Sequence, residues 1–291
     1  MKFFLRFLRD KIFTPFYFVL FTVLPLKTLS HIVCLVENEV EPLKIKVLRH
    51  FLGMQHQRAV SIYNMRLVKL PVPERRERAK EVWRSPTTDS WGQRAFIKPE
   101  ERCSAYAYQA IQEISLELNK PLRILDLGCN NASSYHCLIF LGIEVEYYCG
   151  IDINERMIEE AKQRYNGQAG VRFRSMDFLN HLKDESETYD ILLDKEVFLF
   201  LDQDYLEDIL NLVSEKRLAD RIVFQERILE NHADSDSKIM NMSVTPVNYS
   251  HNYNFLLEKF GFNLESDSKK PIPSVENISQ YLAVAKFSTD G

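Results

Sequence analysis

From Arg123 onward, short apolar runs alternate with segments of helical periodicity, and this alternation restricts the fold more than any other feature of the chain. RILDL, EVEYYCGIDI, VRFRSMD, YDILLDKEV and RIVFQERI read as strands. Between them, SYHCLIFLG, NERMIEEAKQRY and DYLEDILNLVSEKR carry apolar residues every three or four positions, as helices do. Asn154 is placed to cap the second of these helices. Such repeats close as right-handed crossovers. They predict an α/β, Rossmann-like, doubly wound and mostly parallel sheet with helices on both faces. NYNFLLEKFGF reads as a late helix closed by Gly261. NLESDS and QYLAVAKFS then follow as two strand candidates joined by a proline-containing loop and able to pair antiparallel, so the C-terminal strand is expected to run against the rest.

Ligands of open α/β sheets bind beyond the carboxyl ends of the strands, where the strand order reverses. The first strand enters that place in RILDLGCNNASSYHCL, residues 123–138. A dinucleotide fingerprint would read G-x-G-x-x-G. Only Gly128 fits it; Asn130 and Ser133 stand at the other two positions. A pyrophosphate is therefore disfavoured. Asp126 lies inside the strand, and a buried carboxylate is costly without a partner. A ligand bearing an ammonium and a sulfonium would supply one. Asp152 ends the second strand 24 residues after Gly128 and can accept from both hydroxyls of a ribose. Asp177 ends the third, placed for an adenine amino group, with Met176 or Phe178 against the ring. Each acid alone also suits a cap or a turn. Three at successive strand ends favour a ligand.

ILDLGCNNA, GIDIN, SMDF, YDILLDKEVFLFL and LLEKFGF, in that order, resemble the class I S-adenosylmethionine-dependent methyltransferases over about residues 101–291. That family's first motif commonly reads D-x-G-x-G-x-G. Here Asp126 and Gly128 are kept, and Asn130 and Ala132 replace the later glycines. The glycine-rich turn usual before the fifth strand is also absent; SEKRLADRIVF stands there. The resemblance implies S-adenosyl-L-methionine as cofactor, held by Asp126, Gly128, Cys129, Asn130, Asp152, Ile153, Met157, Met176, Asp177, Phe178 and Asp194. It places LLDKEVFLFLD on the acceptor side, with Glu196 as base or substrate contact, or else in a salt bridge with Lys195 or a nearby arginine. His251 titrates near neutrality and is the other candidate catalytic base, although a lone histidine in a polar loop is more often merely exposed. Glu226, His232 and Tyr253 share the long segment after strand five.

The N-terminal hundred residues carry no such motif. Lys2, Arg6, Arg9 and Lys11 precede an apolar run from Ile12 to Leu26 that is interrupted by Pro15 and Pro25. It is short of the roughly 20 residues of a membrane span. Residues 1–36 suit either a helix on an anionic, cytoplasmic membrane face or packing on the protein itself. Residues 37–100 read as mainly helical, broken at LPVPE, which opens a charged helix, and ending in the polar, turn-rich WRSPTTDSWGQRAF. Residues 101–291 form the third region.

A net charge of -4 gives no electrostatic reason for a nucleic-acid partner. Five cysteines without a CxxC pair read as free thiols in a reducing cytosol, and no metal site is expected. The expected function is methyl transfer to a small-molecule, glycan or lipid acceptor. The alternative is a catalytically inactive, membrane-associated binding or scaffold protein on the same fold, since fold does not fix function.

Overall fold

The structure, a computed structural model, describes residues 65–84, 96, 99–230, 235–240, 248–272 and 277–288. The apolar segment 1–36, the periodic stretch up to residue 64, most of the 83–96 loop, Cys34 and His232 lie outside them. The chain divides into two compact units, the second being residues 91–240 and 248–291. Of the first, helix α1 (Val72–Trp83) is described; Pro73 lies in its first turn and Glu74 adds an acid there, as LPVPE predicts. Among the described residues no helix is long and apolar enough to cross a membrane.

The second unit follows the strand–helix order. After a one-turn helix at Pro99–Arg102 come α2 (Tyr106–Leu118), β1 (Leu122–Leu127), α3 (Ser133–Phe140), β2 (Val145–Asp152), α4 (Glu155–Arg164) and β3 (Val171–Ser175). Then follow α5 (Phe178–Asp184), β4 (Tyr189–Lys195), a 3₁₀ turn at Phe198–Phe200, α6 (Gln203–Glu215) and β5 (Ala219–Leu229). A small hairpin, β6 (Lys238–Met240) with β7 (Asn248–Ser250), precedes α7 (Tyr253–Lys259), β8 (Phe262–Pro271) and β9 (Ile278–Phe287). The seven-stranded sheet runs β3-β2-β1-β4-β5-β9-β8. β1 to β5 run parallel to one another, and β9 pairs antiparallel with both β5 and β8. This is the expected architecture. α5, too short to show a period, and the β6–β7 hairpin are not evident from the sequence.

Strands buried on both faces put alternate residues into two cores. Leu125, Leu127, Cys149, Ile151, Leu192 and Phe224 face one side; Leu122, Ile124, Tyr148, Ile191, Leu193 and Val223 face the other. Asp126 has the parity of Ile124, so its carboxylate enters the second core. Asp194 and Glu226 have the parity of Leu192 and Phe224, so theirs enter the first.

Two local findings differ from expectation. Cys103 and Cys137 are joined by a disulfide, with Cα atoms 4.8 Å apart, which corrects the free-thiol reading for this pair. The turn after Pro99–Arg102 packs on α3, and a separation of 34 residues gave no sign of it. Cys129 and Cys149 are free and buried. Before β5, Arg217 supplies the left-handed turn (φ 50°) in place of glycine, with the Leu218 N–H reaching back to the Val213 carbonyl. A left-handed arginine is strained, and its side chain is exposed. Arg217→Gly is therefore expected to stabilise the protein by roughly 0.5–1 kcal/mol in urea melts, the relief outweighing the entropy glycine gains when unfolded. A lower midpoint would sink that account.

Candidate active site

The carboxyl ends of β1 and β2 build the first half of the site. The N–H groups of Gly128 and Cys129 both donate to the Ile151 carbonyl, at 2.8 and 3.0 Å, which fastens the turn after β1 to β2. Along that turn Gly128, Asn130 and Ala132 have φ of 79°, 52° and 66°. These are the three positions at which the resemblance places glycine. The backbone keeps the glycine conformation although two of the glycines are gone. Asn130 tolerates it, and its side-chain oxygen accepts from the Asn131 N–H at 2.7 Å. Gly128 has no such latitude: a Cβ there would lie 2.3 Å from Val197 Cγ2. Asn131 is fully buried, and neither end of its amide has a hydrogen-bond partner, which leaves polar capacity at the turn.

Asp152 holds the turn from β2. Its Oδ2 accepts from the Asn130 N–H and its Oδ1 from the Asn154 N–H, both at 2.9 Å. Burial pushes its carboxyl up, while these backbone donors pull it down. The Asn154 side chain caps α4 as expected, accepting from the Met157 N–H at 3.3 Å. Asp126 is buried and accepts from the Tyr148 hydroxyl on the neighbouring strand. Burial pushes it up to about 6 against hydrogen bonds from Tyr148 and Ser134 and the charge of Lys195. The partner that the sequence reading assigned to a ligand is thus supplied in part by Tyr148. Tyr148 itself gave no signal before the register of β1 on β2 was known.

Asp177 caps α5, accepting from the Leu179 N–H at 3.1 Å and from the Tyr205 hydroxyl of α6 at 2.7 Å. Met176 and Phe178 flank it, half-buried. Ile153 is half-buried beside Asp152, and Met157 is buried in the first turn of α4. The Cys129 thiol faces inward beneath Gly150, where burial pushes it well up, so only its backbone reaches the edge.

The second half lies at the ends of β4 and β5. Asp194 and Glu226 are both fully buried. Glu226 Oε1 accepts from the Val197 and Phe198 N–H groups at 2.8 Å each, and Asp194 Oδ1 accepts from the Phe198 N–H at 3.1 Å. Their other oxygens, Asp194 Oδ2 and Glu226 Oε2, are buried without a hydrogen-bond partner. Burial and the Glu226 charge push the Asp194 carboxyl well up, and burial pushes Glu226 up to about 7. This pair anchors the turn that carries Glu196, itself left-handed at φ 59°. The Glu196 carboxylate is paired with Arg227, with Nη2 at 2.8 Å and Nε at 3.3 Å. Of the alternatives for this residue, the salt bridge with an arginine is present. His251 is enclosed between β7 and α7 rather than exposed. One ring nitrogen, Nε2, donates to the Phe198 carbonyl at 3.1 Å, and Nδ1 accepts from the Ser237 hydroxyl. With both nitrogens engaged, His251 supports the 3₁₀ turn.

The acid pair makes stability pH-dependent. A carboxyl whose folded pKa lies above its unfolded value keeps its proton on folding, so stability falls as pH rises from the unfolded value through the folded one. For Glu226 that window runs from about pH 4.5 to about pH 7, and the total loss is about 3 kcal/mol. Glu226→Gln keeps an acceptor for the two N–H groups and cannot titrate. Urea melts at pH 5, 6 and 7 should show the wild type losing stability relative to this variant by about 1.4 kcal/mol per pH unit. Parallel curves would show that the Glu226 carboxyl is not pushed up on folding.

A family model described as a methyltransferase domain matches residues 118–261. No curated protein matches the sequence. Among solved structures, the magnesium protoporphyrin IX methyltransferase from Synechocystis PCC 6803 with bound S-adenosylhomocysteine aligns over 73% of this chain and 99% of its own, at 15% identity and a TM-score of 0.51. The 1,6-didemethyltoxoflavin-N1-methyltransferase from Burkholderia thailandensis aligns over 75% and 91%, at 15% identity and a TM-score of 0.52. These two likenesses concern the fold. The family match falls on the strands and turns that build the site, and with the fold it marks residues 118–261 as a methyltransferase domain similar to the class I S-adenosylmethionine-dependent methyltransferases.

Proposed function

We propose that the protein transfers a methyl group from S-adenosylmethionine to a small-molecule, glycan or lipid acceptor, and that the edge formed by β1, β2 and β3 is the cofactor site. The observation that carries this reading is Asp152. Each of its oxygens accepts one backbone N–H and retains a lone pair for a ribose hydroxyl. Beside it, the turn keeps positive φ at all three glycine positions, so its backbone can approach a ligand closely. Asp126 faces the methionine end and favours a cation, and Asp177 with Met176 and Phe178 receives the adenine. When bound, the cofactor supplies an electrophilic methyl group on a sulfonium. What remains for the chain is to orient the acceptor and exclude water. The β4 turn does the first, held by Glu226 and Asp194 with Glu196 pinned by Arg227. A net charge of -4 without a basic stripe supports acceptors other than nucleic acid.

One observation favours the second reading, an inactive binding protein: Glu196 and His251 are both engaged, so neither stands ready as a base. Methyl transfer to an acceptor that loses its proton to solvent needs no such base. Two measurements decide. Calorimetry on the full chain should show one equivalent of S-adenosylhomocysteine bound, and incubation with S-adenosylmethionine and a cell extract should release S-adenosylhomocysteine. Binding without release would favour the inactive protein; no binding would refute the site. The basic-then-apolar order of residues 1–36 also supports contact with an anionic membrane surface. Complete recovery of the protein in the soluble fraction would remove that part.

A further inference from the structure

Cys149, His181 and Glu185 form a second cluster, away from the strand ends, on the sheet face that α5 covers. Cys149 lies in β2, three residues before Asp152; His181 is on α5 and Glu185 follows its last residue. All three are buried, and their ligand atoms lie within 4.8 Å of one another. The i, i+4 spacing puts His181 and Glu185 on one helical face. His181 is wholly enclosed, yet neither ring nitrogen makes a hydrogen bond. Its Nε2 stands 2.9 Å from Glu185 Oε2 without hydrogen-bond geometry. A nitrogen and an oxygen that approach so closely with no N–H directed between them are arranged as two ligands of one ion are. The carboxylate is also pre-oriented. Its Oε1 accepts from the Ser186 and Glu187 N–H groups at 2.9 and 3.0 Å, which turns Oε2 toward the cluster.

From this geometry we propose that Cys149, His181 and Glu185 bind a structural zinc ion. One sulfur, one imidazole nitrogen and one carboxylate oxygen suit this borderline-soft cation. A water fills the fourth position, and the Tyr189 hydroxyl, which donates to Glu185 Oε2 at 3.0 Å, orients the carboxylate from outside. As the S–Zn bond forms, the Cys149 thiol gives its proton to solvent. Thiolate and carboxylate then balance the two charges of the ion, so Arg174 and Lys216, the cations facing His181, face a neutral site. No sequence motif marks this cluster, because the cysteine is 32 residues from the histidine and no CxxC or HxxxH frames it.

The test uses the full chain, stripped with a chelator and titrated with cobalt(II). Tetrahedral cobalt absorption with a thiolate-to-metal band should saturate at one equivalent and vanish on adding zinc. Cys149→Ser should abolish the thiolate band, and His181→Gln should weaken binding on the order of 100-fold, while Cys129→Ser leaves both unchanged. Should either variant misfold, X-ray absorption on the zinc-loaded wild type decides: one sulfur among about four ligands is expected. A first shell without sulfur, no saturation at one equivalent, or a band that survives Cys149→Ser would overturn the proposal. Cofactor binding is measured separately, so the failure of one site leaves the other standing.

Discussion

Replacing Asp152 with alanine is expected to weaken S-adenosylhomocysteine binding on the order of 100-fold, equivalent to about 2.7 kcal/mol. Two losses combine. The variant removes a charge-assisted acceptor for the ribose hydroxyls, and it strands the Asn130 and Asn154 N–H groups that the carboxylate accepts at 2.9 Å each. Asp152→Asn separates the two. It keeps one acceptor oxygen, so part of the turn stays fastened, and its binding should fall between wild type and alanine. Calorimetry gives the affinities, and amide exchange at Asn130 reports the turn. If alanine binds as tightly as wild type, the site is elsewhere. If exchange at Asn130 is unchanged, Asp152 does not hold the turn.

Gly128→Ala is expected to destabilise the protein by about 3 kcal/mol, for two separable reasons. A side chain at φ 79° is strained in any surroundings, which costs about 1–2 kcal/mol. The new methyl would also lie 2.3 Å from Val197 Cγ2, a contact that requires the β4 turn to move. Val197→Ala in the same chain removes the offending methyls. The double variant should recover the steric part and keep the conformational part, so a double-mutant cycle should return a favourable coupling of about 1–2 kcal/mol. A coupling near zero would show that Val197 does not fill that space. Val197 belongs to the turn after β4 and Gly128 to the turn after β1, so this contact joins the two turns.

The first strand, its glycine and the acids at the ends of β2 and β3 were legible because each is local. A strand needs only a short apolar run, and a strand end needs only its first polar residue. The family resemblance rested on the same local words, in order. The residues at the ends of β4 and β5 were legible only as candidates. Glu196 and His251 are titratable residues in the right segment, yet the sequence could not say that Arg227 takes one and that Phe198 and Ser237 take the other. The disulfide was misjudged for the same reason: Cys103 and Cys137 meet through the packing of a short turn on α3.

By itself the sequence determined the parallel sheet, the place where its order reverses, and the class of cofactor that an acid-and-glycine turn without a phosphate cradle accepts. Periodicity and chain direction fix the sheet and its switch point, because burial on both faces and right-handed crossovers leave few alternatives, while the cofactor class rested on the acids and the family resemblance. Only the tertiary structure decided which charges are partnered. It set Tyr148 against Asp126, brought Asp194 and Glu226 onto one Phe198 N–H, and gathered Cys149, His181 and Glu185 beside α5. The physical reason is that a buried charge is governed by the side chains within a few ångströms of it. Those neighbours come from strands and helices whose register the sequence does not state.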